Sequence, residues 1–367
     1  MRLEGIDLLR GIAVVFVIIY HFFTILGFHD TSFFTYIHSF GLFGVSLFFV
    51  ISGYLIYRSI DYSISNQGKK IGLKHYTIHR LFRILPAYYF NLAIVLIIAT
   101  FVISNNYLYS GGFLRQLASH LTFLSFFIYK DTGFGINGAY WSLNIEMLWY
   151  IIAPILFITI KKDRYLIALF ILSLIYLLGF DLALYDSFLA LDKNADNYTI
   201  LLFYWSFQLP GQLIYFITGI FIYKYINNQI TISTTHKYLL SILVIGLFIY
   251  VESYYNLHTN FLLNNIFILF TVATLFILLY SEKPKWMSGL EWVGKISYSL
   301  YLWHMPILYI MKQTNILTHH SLEVVIVIFI LSLLFISSSS YYFIEEGGFN
   351  LRRKLEAKHK KVLNNDK

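Results

Sequence analysis

Arg10 and His21 stand eleven positions apart on one apolar stretch, residues 6–28, that is long enough to cross a bilayer. At 100° per residue this spacing returns to within about 20°, so both side chains share one helix face, separated by a rise of about 16 Å. A guanidinium near one membrane surface and an imidazole deeper inside describe a place where an anion enters and a proton is moved. Ionisable groups inside a span cost roughly 3 kcal/mol or more and are read first as functional. Arg10 alone reads as an anchor that snorkels to the headgroups, with Asp7 at i,i+3 to neutralise it. His21 has no such escape, because an imidazole is too short to snorkel from part-way through a span. It is the candidate base, set against the alternative of an interhelical hydrogen bond.

Two further ionisable groups fall inside apolar stretches. Glu146 follows Trp141-Ser142-Leu143-Asn144-Ile145, roughly 8 Å along the helix from Trp141, where a carboxylate is paired, protonated or lines a cavity. Pairing with an arginine and catalysis are both open to it. His304 lies about 13 Å along the helix from Lys295, two residues before Pro306. It is either part of a polar cavity or bonded to the carbonyl that the proline frees. Arg80 and Arg83, one helical turn apart, form a candidate clamp for phosphates; a basic segment lying on anionic lipid is the alternative. His75 and His79 at i,i+4 have metal-ligand spacing, but no carboxylate stands in H-E-x-x-H order, and no metal is expected. Gly44 and Gly53 let a neighbouring backbone approach closely, and Ser46 and Ser52 read as interhelical hydrogen-bonding groups rather than nucleophiles.

These residues must be positioned by helices in lipid. Of the 367 residues 58% are hydrophobic and only 13% charged, where a soluble chain carries about 25% charged. Apolar stretches fall at 6–28, 40–57, 84–103, 141–160, 165–181, 199–223, 237–254, 261–280, 295–312 and 322–344. The expected fold is therefore all-α and polytopic, with about ten transmembrane helices. A shorter stretch, 117–129, reads as re-entrant or interfacial. With the N-terminus inside, all but Arg115, Lys130, Lys193 and Lys312 of the 27 Lys and Arg lie on the cytoplasmic side. Both termini are then cytoplasmic, residues 1–345 form one membrane domain and 346–367 a basic tail. The net charge of +8 fits this topology and an anionic leaflet, not nucleic acid. The first stretch lacks the cleavage site of a signal peptide. The chain has no cysteine, so thiol nucleophiles, disulfides and thiolate metal sites are excluded.

Taken together, the segments resemble the acyltransferase 3 family of integral membrane acyltransferases, from Gly5 to about Glu345. Arg10 with His21 matches the family's arginine, ten residues, histidine signature. Gly44 to Tyr54 is similar to its G-V-D-L-F-F-V-L-S-G-F/Y stretch, with Ser46 where aspartate is common. Arg80 and Arg83 match R-x-x-R before a proline, Trp141 to Glu146 match W-S-L-x-x-E, and Ser297 to His304 read S-Y-S-L-Y-L-W-H. One departure lies at the end of the last span, where Phe343-Ile344-Glu345 is followed by Glu346-Gly347-Gly348 instead of a basic residue and proline. Another is length, since the chain is too short to hold the extracytoplasmic hydrolase-like domain of some members.

The resemblance implies a plasma-membrane enzyme that moves an acyl group, usually acetyl, from cytosolic acyl-CoA to a hydroxyl of an envelope or exported glycan. Arg10, Arg80 and Arg83 would meet the anionic donor, and His21, with Glu146 and His304, would serve the chemistry. The outer connections at 29–39, 104–140 and 181–198 would shape the acceptor pocket. A polysaccharide or lipid-linked sugar exporter, or a proton-coupled carrier, is the competing class, because the same buried groups suit a proton relay. No inverted repeat supports it. The H-x-x-x-x-D box of glycerolipid acyltransferases is absent from all 12 histidines.

Overall fold

The computed structural model describes residues 4–28, 37, 39–101, 113–127, 136–184, 207–226, 233–254, 261–280 and 287–365. Among these the structure is helical, with no strand. The helices are α1 (Glu4–Ile25), α2 (Phe40–Gln67), α3 (Lys69–Phe101), α4 (Phe113–Leu121), α5 (Tyr140–Thr159), α6 (Asp163–Gly179) and α7 (Leu209–Ile226). After them come α8 (Thr234–Tyr254), α9 (Phe261–Tyr280), α10 (Ser288–Lys295), α11 (Ser297–Gln313), α12 (Ile316–His319), α13 (Leu322–Ser340) and α14 (Glu346–Asn365).

Seven described segments are long and apolar enough to cross a membrane: Gly5–Ile25, Phe40–Gln67, Lys69–Ile98, Tyr140–Thr159, Asp163–Leu182, Phe261–Tyr280 and Leu322–Glu356. The count of about ten is thus supported for seven. The other three stretches fall short for separate reasons. Residues 199–206 lie outside the described part, which leaves α7 at 18 residues. In α8 the apolar part is Thr235–Val251. Helix α11 has 17 residues and carries Ser297, Ser299, His304 and Pro306. The short segment at 117–129 does not form a span; α4 has 9 residues and is followed by a single 3-10 turn at Ser125–Phe127. Most of the outer connections expected to shape an acceptor pocket lie outside the described residues.

The chain divides into two compact units, one of Met1–Arg58 with Arg115–Ser297, the other of Ser59–Leu114 with Tyr298–Lys367. In the first unit, small residues set the helix crossings. A Cβ on Gly294 of α10 would overlap the Asp7 carbonyl oxygen of α1, and one on Gly11 would overlap the Leu290 carbonyl oxygen. The same exchange joins α2 to α7, where Gly53 faces the Phe216 carbonyl and Gly219 the Val50 carbonyl. Gly44 lies against the Ala13 carbonyl of α1, so α1 is held at backbone distance on two sides. Asp181, in the wide π turn after α6, caps α9 from outside: its two carboxylate oxygens accept from the Phe261 and Leu262 amides at 2.8 and 2.6 Å. Two of the four orphan donors of that helix are satisfied in this way.

In the second unit the basic stretch that carries Arg80 and Arg83 is helical. Helices α2 and α3 run on as a hairpin whose only non-helical residue is Gly68, at φ +75°. The left-handed conformation suits glycine and turns the chain at once. Gly72 lies against the Ser63 backbone, which closes the hairpin. Along α3, Pro86 packs against Gly348 of α14, where an added Cβ would stand 3.0 Å from Pro86 Cγ. The exit from the last span is helical: α13 passes through a π turn at Tyr341–Glu345 directly into α14.

Candidate active site

The expected residues fall into two groups, one in each unit. In the first, α1 is uninterrupted from Glu4 to Ile25, so the eleven-residue spacing of Arg10 and His21 stays on one face. Arg10 Nη1 lies 4.0 Å from Asp7 Oδ1, the i,i+3 partner read from the sequence. Half-buried His21 places Nδ1 3.0 Å from the Val17 carbonyl oxygen, one turn back along α1. A carbonyl only accepts, so Nδ1 carries the proton and Nε2 the lone pair of the neutral ring. One backbone bond therefore fixes both the tautomer and the ring's direction.

Glu146 does not take an arginine partner among the described residues. Its Oε1 accepts from two hydroxyls, Ser52 Oγ at 2.6 Å and Tyr150 OH at 2.8 Å. Tyr150 is one turn further along α5, a spacing the helix itself supplies. Ser52 comes from α2, next to Gly53, whose missing side chain brings the α7 backbone close. Asn144, two residues before Glu146, donates to Ser125 Oγ at 2.6 Å and so ties the short segment after α4 to α5. The Trp-Ser-Leu-x-x-Glu stretch thus anchors one neighbour through Asn144 and orients a carboxylate through Ser52.

The second unit holds Arg80, Arg83 and His304. Arg80 and Arg83 lie one turn apart on the α3 arm of the hairpin, and the Arg80 guanidinium sits over the Tyr76 ring, 5.9 Å from its centre. Stacking of this kind restricts a guanidinium while leaving its edge to donate. His304 is fully buried in α11, with Nδ1 2.7 Å from the Tyr301 carbonyl oxygen. The histidine thus bonds the Tyr301 carbonyl and not that of Leu302, the residue one turn before Pro306 that the sequence pointed to, and its neutral tautomer matches that of His21. Ser299, also in α11, donates to buried Glu345 in the π turn. Ser52 bonds across helices as the sequence suggested, with Glu146 as its partner, whereas Tyr150 and Glu345 are polar partners the sequence reading missed. The available signal was that each polar group in an apolar span needs a partner somewhere.

With that geometry in view, a family profile described as "Acyltransferase domain" matches residues 3–342. The chain belongs to the acyltransferase 3 family. The acyltransferase match takes in both groups of residues, from Arg10 to His304. O-acetyltransferase OatA of Staphylococcus aureus strain NCTC 8325 / PS 47 is 30% identical over 352 residues, covering 83% of this chain and 50% of the relative. OatA of Staphylococcus aureus strain COL is similar to the same extent. The chain spans about half the length of these curated relatives. No solved structure matches it.

Proposed function

We propose that this acyltransferase 3 protein is a multi-pass O-acyltransferase of the plasma membrane, with both termini cytoplasmic. It moves an acetyl group from cytosolic acyl-CoA to a hydroxyl of a cell-envelope or exported glycan. The observation that carries the reading is the 3.0 Å approach of His21 Nδ1 to the Val17 carbonyl oxygen, which calls for a proton on Nδ1 and leaves Nε2 as the basic nitrogen. A sugar hydroxyl is too weak a nucleophile unaided. His21 takes its proton as the oxygen attacks the thioester carbonyl. The new ester C–O bond forms, the C–S bond breaks, and the proton ends on the CoA thiol.

Arg80 and Arg83 hold the phosphates of the donor, and Arg10 adds positive charge on the same helix as the base. Glu146, held by Ser52 and Tyr150, orients the acceptor, and His304 serves as a second imidazole of defined tautomer. The O-acetyltransferase relatives support acetyl as the group transferred. The basic asymmetry of the connections supports the orientation.

The test is transfer of label from acetyl-CoA to membrane glycan by wild type and by His21→Ala. Loss of about 10²- to 10⁴-fold, with the variant still inserted and monodisperse, is expected of a lost general base. Retained transfer overturns the assignment of His21. Substrate-dependent flux into liposomes without acyl-CoA binding overturns the enzyme.

A further inference from the structure

The α3–α14 packing brings together three groups that the proposed reaction does not use. His75 and His79, at i,i+4 on α3, face Glu356 of α14. The Nε2 atoms lie 3.9 Å (His75) and 3.1 Å (His79) from Glu356 Oε1, and the three donor atoms all fall within 4.8 Å of one another. The two imidazole rings are 4.0 Å apart at their centres. His79 Nε2 and Glu356 Oε1, 3.1 Å apart, are both shielded from solvent. An ion at about 2.1 Å from a nitrogen and an oxygen sits off the line that joins them.

We infer that His75, His79 and Glu356 form a site for a divalent first-row transition ion of the zinc class. Two imidazoles and one carboxylate are a common zinc ligand set, with a fourth position open to water. The sequence lacks the carboxylate in H-E-x-x-H order, and the fold supplies it from α14. Gly348, Arg352 and Glu356 follow one another at i,i+4 and meet Pro86, His79 and His75 in turn, as antiparallel neighbours do. His75 also has an outer partner of the right polarity, with Ser63 Oγ 3.5 Å from its Nδ1.

His79 has the opposite partner. Arg352 Nη1 lies 2.8 Å from His79 Nδ1, and Arg352 Nε lies 3.8 Å from Glu356 Oε1. A guanidinium only donates, whereas a histidine that ligates through Nε2 carries its proton on Nδ1. The ion and Arg352 therefore compete for the same two side chains, and Arg352 must withdraw when the ion binds. The ion would clip α14 to α3 at the residue before Arg80.

The experiment uses the full chain in detergent, stripped with chelator, and Co²⁺ as a visible substitute for Zn²⁺. One equivalent of Co²⁺ with the absorption of a four-coordinate site, displaced by Zn²⁺, is expected. His75→Ala/His79→Ala should abolish that signal, and Glu356→Gln, close in shape and safe for the fold, should weaken binding about 10- to 100-fold. Arg352→Gln should bind about tenfold tighter, because the competing cation is gone. No stoichiometric Co²⁺ uptake, or the same spectrum in wild type and the Glu356→Gln and double-histidine variants, overturns the site.

Discussion

Replacing Ser52 with alanine is expected to lower acyl transfer about 10- to 100-fold. Glu146 Oε1 accepts two hydroxyl bonds, from Ser52 at 2.6 Å and Tyr150 at 2.8 Å. A bond to a charged group contributes about 1.5–3 kcal/mol net, and each 1.4 kcal/mol is tenfold in rate. Alanine offers no donor, and α2 cannot slide to bring another, because Gly53 already lies against the Phe216 carbonyl. The carboxylate keeps one tether of two and swings away from its working direction.

Release of CoA can be followed with a thiol-reactive chromophore, and the absence of cysteine from the chain removes the protein's own background. The turnover number should fall while KM for acyl-CoA holds. Because Tyr150→Phe removes a bond to the same oxygen, the two variants combined should depart from additivity. A variant that melts at lower temperature yet turns over within twofold of wild type would show that the network serves only the fold, and the reasoning about Glu146 would fail.

Arg80→Ala with Arg83→Ala should raise KM for acyl-CoA about tenfold or more with little change in turnover; an unchanged KM removes the phosphate clamp. Gly294→Ala forces a methyl onto the Asp7 carbonyl and should cost about 1–3 kcal/mol in denaturant or thermal unfolding. Gly246→Ala is the control: an added Cβ there meets nothing within 4 Å, so the change should be neutral or stabilise by about 0.5–1 kcal/mol. Asp181→Ala uncaps α9 and should cost about 0.5–2 kcal/mol, read by the same melts; no change would mean that the two amides find other acceptors.

What could be read from the sequence was what depends on local periodicity. The face shared by Arg10 and His21, the Asp7–Arg10 pair and the close approach at Gly44 and Gly53 all follow from helix geometry and residue size. What could not be read was long-range partnership. Ser52 with Glu146, Ser299 with Glu345 and His79 with Glu356 join distant segments, and hydropathy reports that a residue is buried without saying beside what. The start of the helix carrying Arg80 and Arg83, at Lys69 and not at the apolar stretch from 84, was hidden for a related reason: apolar runs mark where lipid ends, and a helix need not end with it. The polar content of α11, with two serines, a histidine and a proline, likewise blurs a span count based on length and hydropathy.

The single glycine that reverses the chain between α2 and α3 makes the hairpin a ruler. With no slack at the turn, one residue inserted before Arg80 would rotate both guanidiniums by about 100° and carry them about 1.5 Å along the axis. Indels within that arm should survive only as steps close to whole turns, about seven residues being the smallest that restores the original bearing. Drift in length is thereby shut out of the part of the chain where the phosphates are to be met.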